Sequence, residues 1–180
     1  MPQQLEVHPY NPAWPQIAAA EQALLVSATG DLFVAMEHIG STAVPGLAAK
    51  PIIDMMGAVQ QLDAVEPQLP TLAAHGYQLV VTDMPQRYFL RKYDPQRALM
   101  FHLHIVEAAT WAERNERLLR DYLRAHPDQA AAYGRLKQAL VLQHADDAIA
   151  YTSAKTAFIQ SIVDQARDAQ GLPRVSVWEE

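Results

Sequence analysis

The spacing of hydrophobic positions divides the chain into segments of strand and helix character. Side chains alternate between faces on a strand, and a strand that is buried on both faces is apolar throughout. These patterns predict five strands, at residues 32–39, 50–59, 77–81, 87–94 and 99–108. Helical spacing predicts a first helix over residues 14–27 and a second over 61–74, in which Pro67 and Pro70 fix or break the middle.

After residue 109 the pattern becomes entirely helical. Thr110, with Glu113 three residues later, has the spacing of a capping box and predicts the start of a helix. Further helices are predicted over residues 128–144, opened by Pro127, and over 147–170, stopped by Gly171. The fold class predicted is therefore α/β (α+β): a mixed sheet flanked by helices over residues 1–109 and a helical portion over 110–172, within a single domain of residues 1–180.

Composition narrows the classes of function. Half of the 180 residues are hydrophobic, 19% are charged and the formal net charge is −6, so general nucleic-acid binding through a basic surface is not expected. The chain has no cysteine, which excludes disulfides, zinc–thiolate sites and a cysteine nucleophile. No secretory signal or bilayer-spanning apolar run is present in the sequence, so we expect no membrane partner and a cytoplasmic location.

The segment HIGSTAVPGLAAKPIIDMM, residues 38–56, carries the first candidate site. Gly40 would let the backbone approach an anion, and the Ser41 and Thr42 hydroxyls would add donors for a phosphate. Asp54 lies in an apolar strand, where a carboxylate is costly unless it is paired or bound to a metal. Lys50 would bind phosphate or pair with Asp54. The alternative is an ordinary turn followed by a buried salt bridge.

A second candidate group comes from two later strands. His102 and His104 are two residues apart and share a strand face, where they could bind a metal or another ligand, or line a polar cleft as a hydrogen-bonded pair. Arg87 and Arg91 alternate onto one face and suit a polyanionic ligand, or ordinary salt bridges on an exposed face. Glu107 belongs to the face opposite the histidines unless the strand twists.

Other residues and motifs indicate no site. The lysines and tyrosines at positions 133, 137, 151 and 155 fit helical faces and are explained by packing and solubility. The sequence contains no GxxxxGK[ST] loop, no GxGxxG fingerprint, no GxSxG elbow and no HExxH helix.

Four segments in the same order resemble the GrpB family: HIGSTAVPGLAAKPIIDMM, RYFLRKYD, HLHIVE and LLRDYLRAHPD with YGRLKQAL. The resemblance implies a nucleotidyltransferase-like fold related to the polymerase-beta superfamily, in which a Gly-Ser turn precedes a pair of acids and a later strand adds a third. Those acids hold two Mg²⁺ ions that act on nucleotide phosphates. Gly40 and Ser41 match the turn, Asp54 matches the first acid and Glu107 is the candidate for the third.

Met56 occupies the position of the second acid, and a thioether does not suit Mg²⁺. Three hypotheses follow. The first is a nucleotidyltransferase that uses Mg²⁺ or Mn²⁺ at Asp54, with Glu107 or the two histidines completing the metal ligands. The second is a module that binds a nucleotide or phosphorylated small molecule without catalysis. The third is a metal-dependent hydrolase built on His102 and His104. The resemblance also includes domains fused to dephospho-CoA kinase, which suggests nucleotide or coenzyme A metabolism.

Overall fold

A five-stranded mixed sheet forms the centre of this computed structural model, which describes residues 6–82, 84, 86–144 and 146–177. The strands are β1 (Ala35–Ile39), β2 (Ile52–Val59), β3 (Gln78–Leu79), β4 (Tyr88–Asp94) and β5 (Leu99–Glu107), in the spatial order β1-β2-β5-β4-β3. β2 and β5 are parallel, and the other neighbouring pairs are antiparallel. All five predicted strands are therefore confirmed, and β3 is shorter than expected.

The helices are α1 (Trp14–Thr29), α2 (Leu69–Ala74), α3 (Asn115–Ala125), α4 (Pro127–Gln143) and α5 (Ala148–Ala169). Asp147 caps α5, because its carboxylate accepts hydrogen bonds from the backbone N–H groups of residues 149 and 150. Within the described residues, no helix is both long enough and apolar enough to cross a membrane.

Two predicted helices differ from the observed ones. The segment predicted as one helix over residues 61–74 forms two 3₁₀ turns, Leu62–Ala64 and Glu66–Gln68, before the short α2. Pro67 lies in the second of these turns and Pro70 in the first turn of α2, where a missing N–H is tolerated. The predicted capping box is wrong: Thr110 and Glu113 lie in a 3₁₀ segment, and the Thr110 hydroxyl donates to the Glu107 carbonyl.

The two faces of the sheet bury different elements. One face packs against α1 and α2 through a large apolar cluster that includes Leu25, Ile53, Leu72 and Leu103. On the other face, Ile39, Met56 and Val106 form a smaller cluster with Trp111. This second face also carries the polar side chains of the candidate site.

The helical portion packs against the loop between β1 and β2. Val44 and Leu47 from that loop are buried with Leu123 of α3, Tyr133 of α4 and Ile162 of α5. This packing brings the inner faces of α4 and α5 over the loop that contains Gly40 and Ser41. Lys137 of α4 and Lys155 of α5 thereby line the same cavity as Asp54.

Candidate functional site

The strand register places Asp54 and His102 next to each other. Asp54 of β2 is paired with His102 of β5, and Arg91 of β4 is paired with His102 from the other side. His102 Nδ1 lies 3.0 Å from Asp54 Oδ1, which makes the imidazole a direct hydrogen-bonding partner of the carboxylate. Asp54, His102 and His104 therefore lie on one polar face of the sheet.

Gly40 is required because Asp54 approaches its backbone. Gly40 has a φ of 72°, in the region that favours glycine, and a Cβ built at this position would overlap Asp54 Oδ2. The Gly-Ser turn thus packs directly against the carboxylate. Ser41 follows and lies with Asp54 along the same cleft.

A cleft of about 180 Å³ opens on one side of Asp54. We call it the lysine cleft, because ammonium groups from three separate elements line it. Its walls are formed by Ser41, Thr42, Ala49, Lys50, Ile52, Asp54, His102, Lys137, Tyr151 and Lys155. Lys50 precedes β2, whereas Lys137 belongs to α4 and Lys155 to α5.

The three lysines are partly buried, and this environment lowers the pKa of each ammonium group. Burial lowers the pKa of Lys137 to about 7, and repulsion from Lys155 and Lys50 adds to the effect. Burial, with repulsion from Lys50, lowers the pKa of Lys155 to about 8. The pKa of Lys50 is also lowered by burial, and in all three cases the Asp54 charge acts in the opposite direction.

Of the three lysines, Lys137 is the one whose ammonium group is buried without a hydrogen-bond acceptor among the described residues. The residue is only 3% exposed, and its Nζ has no hydrogen-bond partner within the described part of the chain. Its nearest compensation is the Tyr133 ring, whose centroid lies 4.5 Å from Nζ. Lys50 and Lys155 both lie over the Tyr151 ring, at 4.2 and 4.3 Å. A buried ammonium without an acceptor is costly, so the cleft is suited to an anion.

Comparison with known proteins assigns the chain to a family. The model of the GrpB protein family matches residues 4–165. The chain belongs to the GrpB family. A crystal structure of the conserved protein GrpB from Enterococcus faecalis superimposes with a TM-score of 0.84 at 33% identity, covering 92% of this chain and 99% of that one. The resemblance stated from the four sequence segments is confirmed.

Other relatives of this GrpB-family chain are longer proteins. UPF0157 protein YqkA of Bacillus subtilis is 36% identical over 140 residues, which is 77% of this chain but 40% of YqkA. A dephospho-CoA kinase of Mycolicibacterium paratuberculosis is 30% identical over 115 residues, covering 59% of this chain and 26% of that protein. The chain thus spans less than half the length of these two relatives.

The nucleotidyltransferase-like fold is confirmed by a more distant structure. The complex of the non canonical poly(A) polymerase GLD-2 with GLD-3 aligns at a TM-score of 0.60 and 14% identity, covering 87% of this chain and 54% of that one. An identity this low shows a shared fold only.

Two residues expected to bind phosphate have other partners in this GrpB fold. Thr42 Oγ1 donates to the Ile52 carbonyl at 2.9 Å, so it must accept the 2.9 Å hydrogen bond from His38 Nε2. Burial lowers the pKa of His38 to about 4, which keeps the ring neutral in this pair. Arg87 donates from Nη1 to Glu116 Oε1 at 2.5 Å, and its side chain is 4% exposed. The Thr42 proton is therefore committed to the Ile52 carbonyl, whereas Arg87 is held by its buried ion pair with Glu116 and keeps an Nε without a partner among the described residues.

The remaining predicted site residues lie at different distances from the cleft. His104 shares the face of His102 and is half-buried like it, and its Nδ1 lies 3.4 Å from Arg87 Nη1. Arg91 is exposed beside His102 and stands over the Phe89 ring. Glu107 lies on the opposite face, where its Oε1 accepts a hydrogen bond from the Leu62 N–H. The structure therefore does not bring Glu107 to Asp54.

The residues around Asp54 do not fit the expected pair of Mg²⁺ or Mn²⁺ ions. Met56 is fully buried among Ile39, Val106 and Trp111, and Glu107 is on the other side of the sheet. Throughout the described ranges, no group of three or more His, Cys, Asp or Glu side chains could hold a metal ion. A single carboxylate surrounded by three lysines favours anions over divalent cations.

Sequence reasoning missed Lys137 and Lys155, although one of them carries a signal. The buried residues of α4 recur about once per helical turn: Ala130, the adjacent pair Tyr133 and Gly134, Lys137 and Leu140. Lys137 thus occupies a position in the apolar stripe of an amphipathic helix, which is unusual for lysine. Lys155 is half-buried and has no comparable signal in the sequence.

Proposed function

We propose that this GrpB-family protein binds a nucleotide or another phosphorylated small molecule in the lysine cleft. The observation that carries the proposal is the buried Lys137 ammonium, which has no acceptor among the described residues and faces the same cleft as Lys50 and Lys155. A diphosphate or triphosphate would supply acceptors to all three lysines and relieve their mutual repulsion. Ser41 lies at the same cleft and adds a hydroxyl donor.

In this proposal, the three lysines take the role of metal ions in related folds. In the superfamily that the fold resembles, metal ions neutralise the phosphate charge. Here Met56 and Glu107 do not supply the further carboxylates that two metals would need. We therefore propose that the protein's own cations bind the phosphate. Nucleotidyl transfer, the first hypothesis from the sequence, is a separate activity that needs its own assay.

The test is calorimetric titration of the protein with sodium tripolyphosphate and with ATP, in buffer containing EDTA. Wild-type protein is expected to bind both ligands, because both carry the polyphosphate group. Lys137→Met keeps the length of the side chain and removes the charge, so we expect an affinity at least about tenfold weaker, equivalent to one hydrogen bond to a charged group.

The matched control is Arg135→Met, which removes a positive charge from the exposed face of the same helix. This variant is expected to bind like wild type, since exposed charges are screened. The proposal is overturned if wild-type protein binds neither ligand, or if the two variants lose affinity equally. Release of pyrophosphate from ATP with any added acceptor would add transferase activity to the binding site.

A further inference from the structure

A second cavity opens on the other side of Asp54. It measures about 210 Å³, is lined in part by Gly40 and shares Ser41 and Asp54 with the lysine cleft. We call it the side cavity. Its apolar wall includes Val44, Leu119 and Leu123, and Tyr133 of α4 stands between it and Lys137, one helical turn later. Cavities that hold a whole drug-sized ligand measure about 300–1,000 Å³, so this one suits a single ring.

The polar end of the side cavity is built from Glu116 and His104. Glu116 Oε1 accepts from Arg87, while its Oε2 is buried with no hydrogen-bond partner among the residues that the structure describes. Burial by itself would raise the pKa of Glu116, but the Arg87 charge and hydrogen bond outweigh it and lower the pKa below the usual value. The carboxylate is therefore ionised and accepts hydrogen bonds only.

His104 supplies the complementary donor. Burial lowers the pKa of His104 to about 4, so the ring is neutral. Its Nδ1 faces the Arg87 guanidinium, which can only donate, so the ring hydrogen is on Nε2. The polar end thus combines an acceptor from Glu116 with a donor from His104, next to apolar walls.

The charges decide which part of a ligand occupies each side. Asp54 and Glu116 both line the side cavity, and the one arginine there, Arg120, is already paired with Glu37 and Asp121. A phosphate would be repelled there and attracted by the three lysines of the other cleft. A ligand that spans both sides would therefore place its phosphates at the lysines and an uncharged ring beyond Tyr133.

We propose that the side cavity is a subsite for a flat heteroaromatic ring with an amino group next to a ring nitrogen, as in adenine or cytosine. The amino group would donate to Glu116 Oε2, and the ring nitrogen would accept from His104. The ring faces would lie between the apolar side chains of the loop after β1 and those of α3. This inference rests on the proposed function, because it assigns the organic part of the ligand whose phosphates occupy the lysine cleft.

The test compares three probes under the same EDTA conditions: tripolyphosphate, ATP, and the triphosphate of purine riboside, which is ATP without the amino group. We expect wild-type protein to bind ATP about tenfold more tightly than the purine riboside triphosphate. Leu119→Trp should fill the side cavity, reduce ATP affinity at least about tenfold and leave tripolyphosphate affinity unchanged. Ala125→Trp, at an exposed position of the same helix outside both cavities, is the control and should change neither.

The outcomes separate this inference from the proposed function. Suppose that tripolyphosphate binds, that ATP and purine riboside triphosphate bind with equal affinity, and that Leu119→Trp has no selective effect on ATP. The ring subsite is then overturned and the phosphate site stands. If wild-type protein binds neither tripolyphosphate nor ATP, both proposals are overturned. Glu116→Gln is a less direct probe because it leaves the buried Arg87 without its ion pair, so its thermal unfolding must be measured alongside.

Discussion

Asp54 is a carboxylate in an otherwise apolar strand, and its neighbours are arranged to accommodate the charge. His102 hydrogen bonds to one carboxylate oxygen, and the missing Cβ of Gly40 leaves room for the other. Lys50, Lys137 and Lys155 are each attracted by the Asp54 charge. Because one carboxylate faces three ammonium groups, the free protein holds an excess of positive charge at this point.

Lys137 should destabilise the free protein, and this is the first prediction at the residue scale. The pKa of Lys137 is about 7 in the folded chain and about 10.5 in an exposed lysine. Between these values the unfolded chain binds more protons than the folded one, so the free energy of unfolding rises with pH across this window. The penalty is complete below pH 7 and disappears towards pH 10.5.

Lys137→Met is therefore expected to raise the free energy of unfolding by about 1–4 kcal/mol at pH 6.5, with a smaller gain at pH 9. Urea unfolding at the two pH values measures both numbers, and Arg135→Met should differ little from wild type at either. A variant that is less stable than wild type at pH 6.5 would show that Lys137 has an acceptor in solution. A stabilising mutation that also abolishes anion binding would indicate that the lysine is retained for its ligand.

Helix α4 is the element that connects the two halves of the site. Tyr133 and Lys137 are one turn apart on its buried face, so they project towards the same side and separate the side cavity from the lysine cleft. Gly134, between them, lies against Leu47 of the loop after β1. The positions of the lysine cleft and of the side cavity therefore depend on the packing of the helical portion onto that loop.

The buried face of α5 should account for much of this packing. Ile162 is 1% exposed and belongs to the cluster that holds Val44 and Leu47 against α3 and α4. Ile162→Ala is expected to lower the free energy of unfolding by about 2–5 kcal/mol, since it leaves a cavity in a packed core. Ile149→Ala, made at a position of the same helix that is 80% exposed, should change it by less than about 0.5 kcal/mol. Equal effects in denaturant unfolding would show that α5 does not pack as described.

The type of an element was predictable where its hydrophobic pattern was long, whereas details such as helix caps were not. β2 and β5 are long and mostly apolar, and the predictions for both lie close to the observed bounds. The Thr110–Glu113 spacing fitted a capping box, yet the Thr110 hydroxyl donates to Glu107 and receives hydrogen bonds from Arg114. Local spacing cannot reveal such a partner, because the competing hydrogen bonds depend on the tertiary path of the chain.

The site was predictable only where its residues share the sheet. The alternation of side chains predicts that His102 and His104 share a face, whereas the strand register decides which of them lies beside Asp54. Lys137 and Lys155 reach Asp54 through helix packing across some 80 to 100 residues of sequence, which no periodicity encodes. The buried position of Lys137 in an apolar helical stripe was the available signal, and it was interpreted as packing.

At the scale of the whole molecule, charge is distributed unevenly. The chain carries a formal net charge of −6, whereas the lysine cleft has three lysines against one carboxylate. A small polyanion would enter a locally positive cleft, while the overall negative charge would oppose a long nucleic-acid strand. This distribution agrees with a small phosphorylated ligand better than with a polymer.

The lysine cleft leads to a last prediction about divalent metals. Because the three lysines supply the positive charge, tripolyphosphate affinity measured with EDTA should equal or exceed that measured with Mg²⁺ or Mn²⁺, since a bound metal neutralises the ligand and competes with the protein. Asp54→Asn removes the one negative charge in the lysine cleft and should strengthen binding of tripolyphosphate. The opposite pattern, in which binding needs Mn²⁺ and is lost in Asp54→Asn while Lys137→Met retains it, would return the site to metal-dependent chemistry.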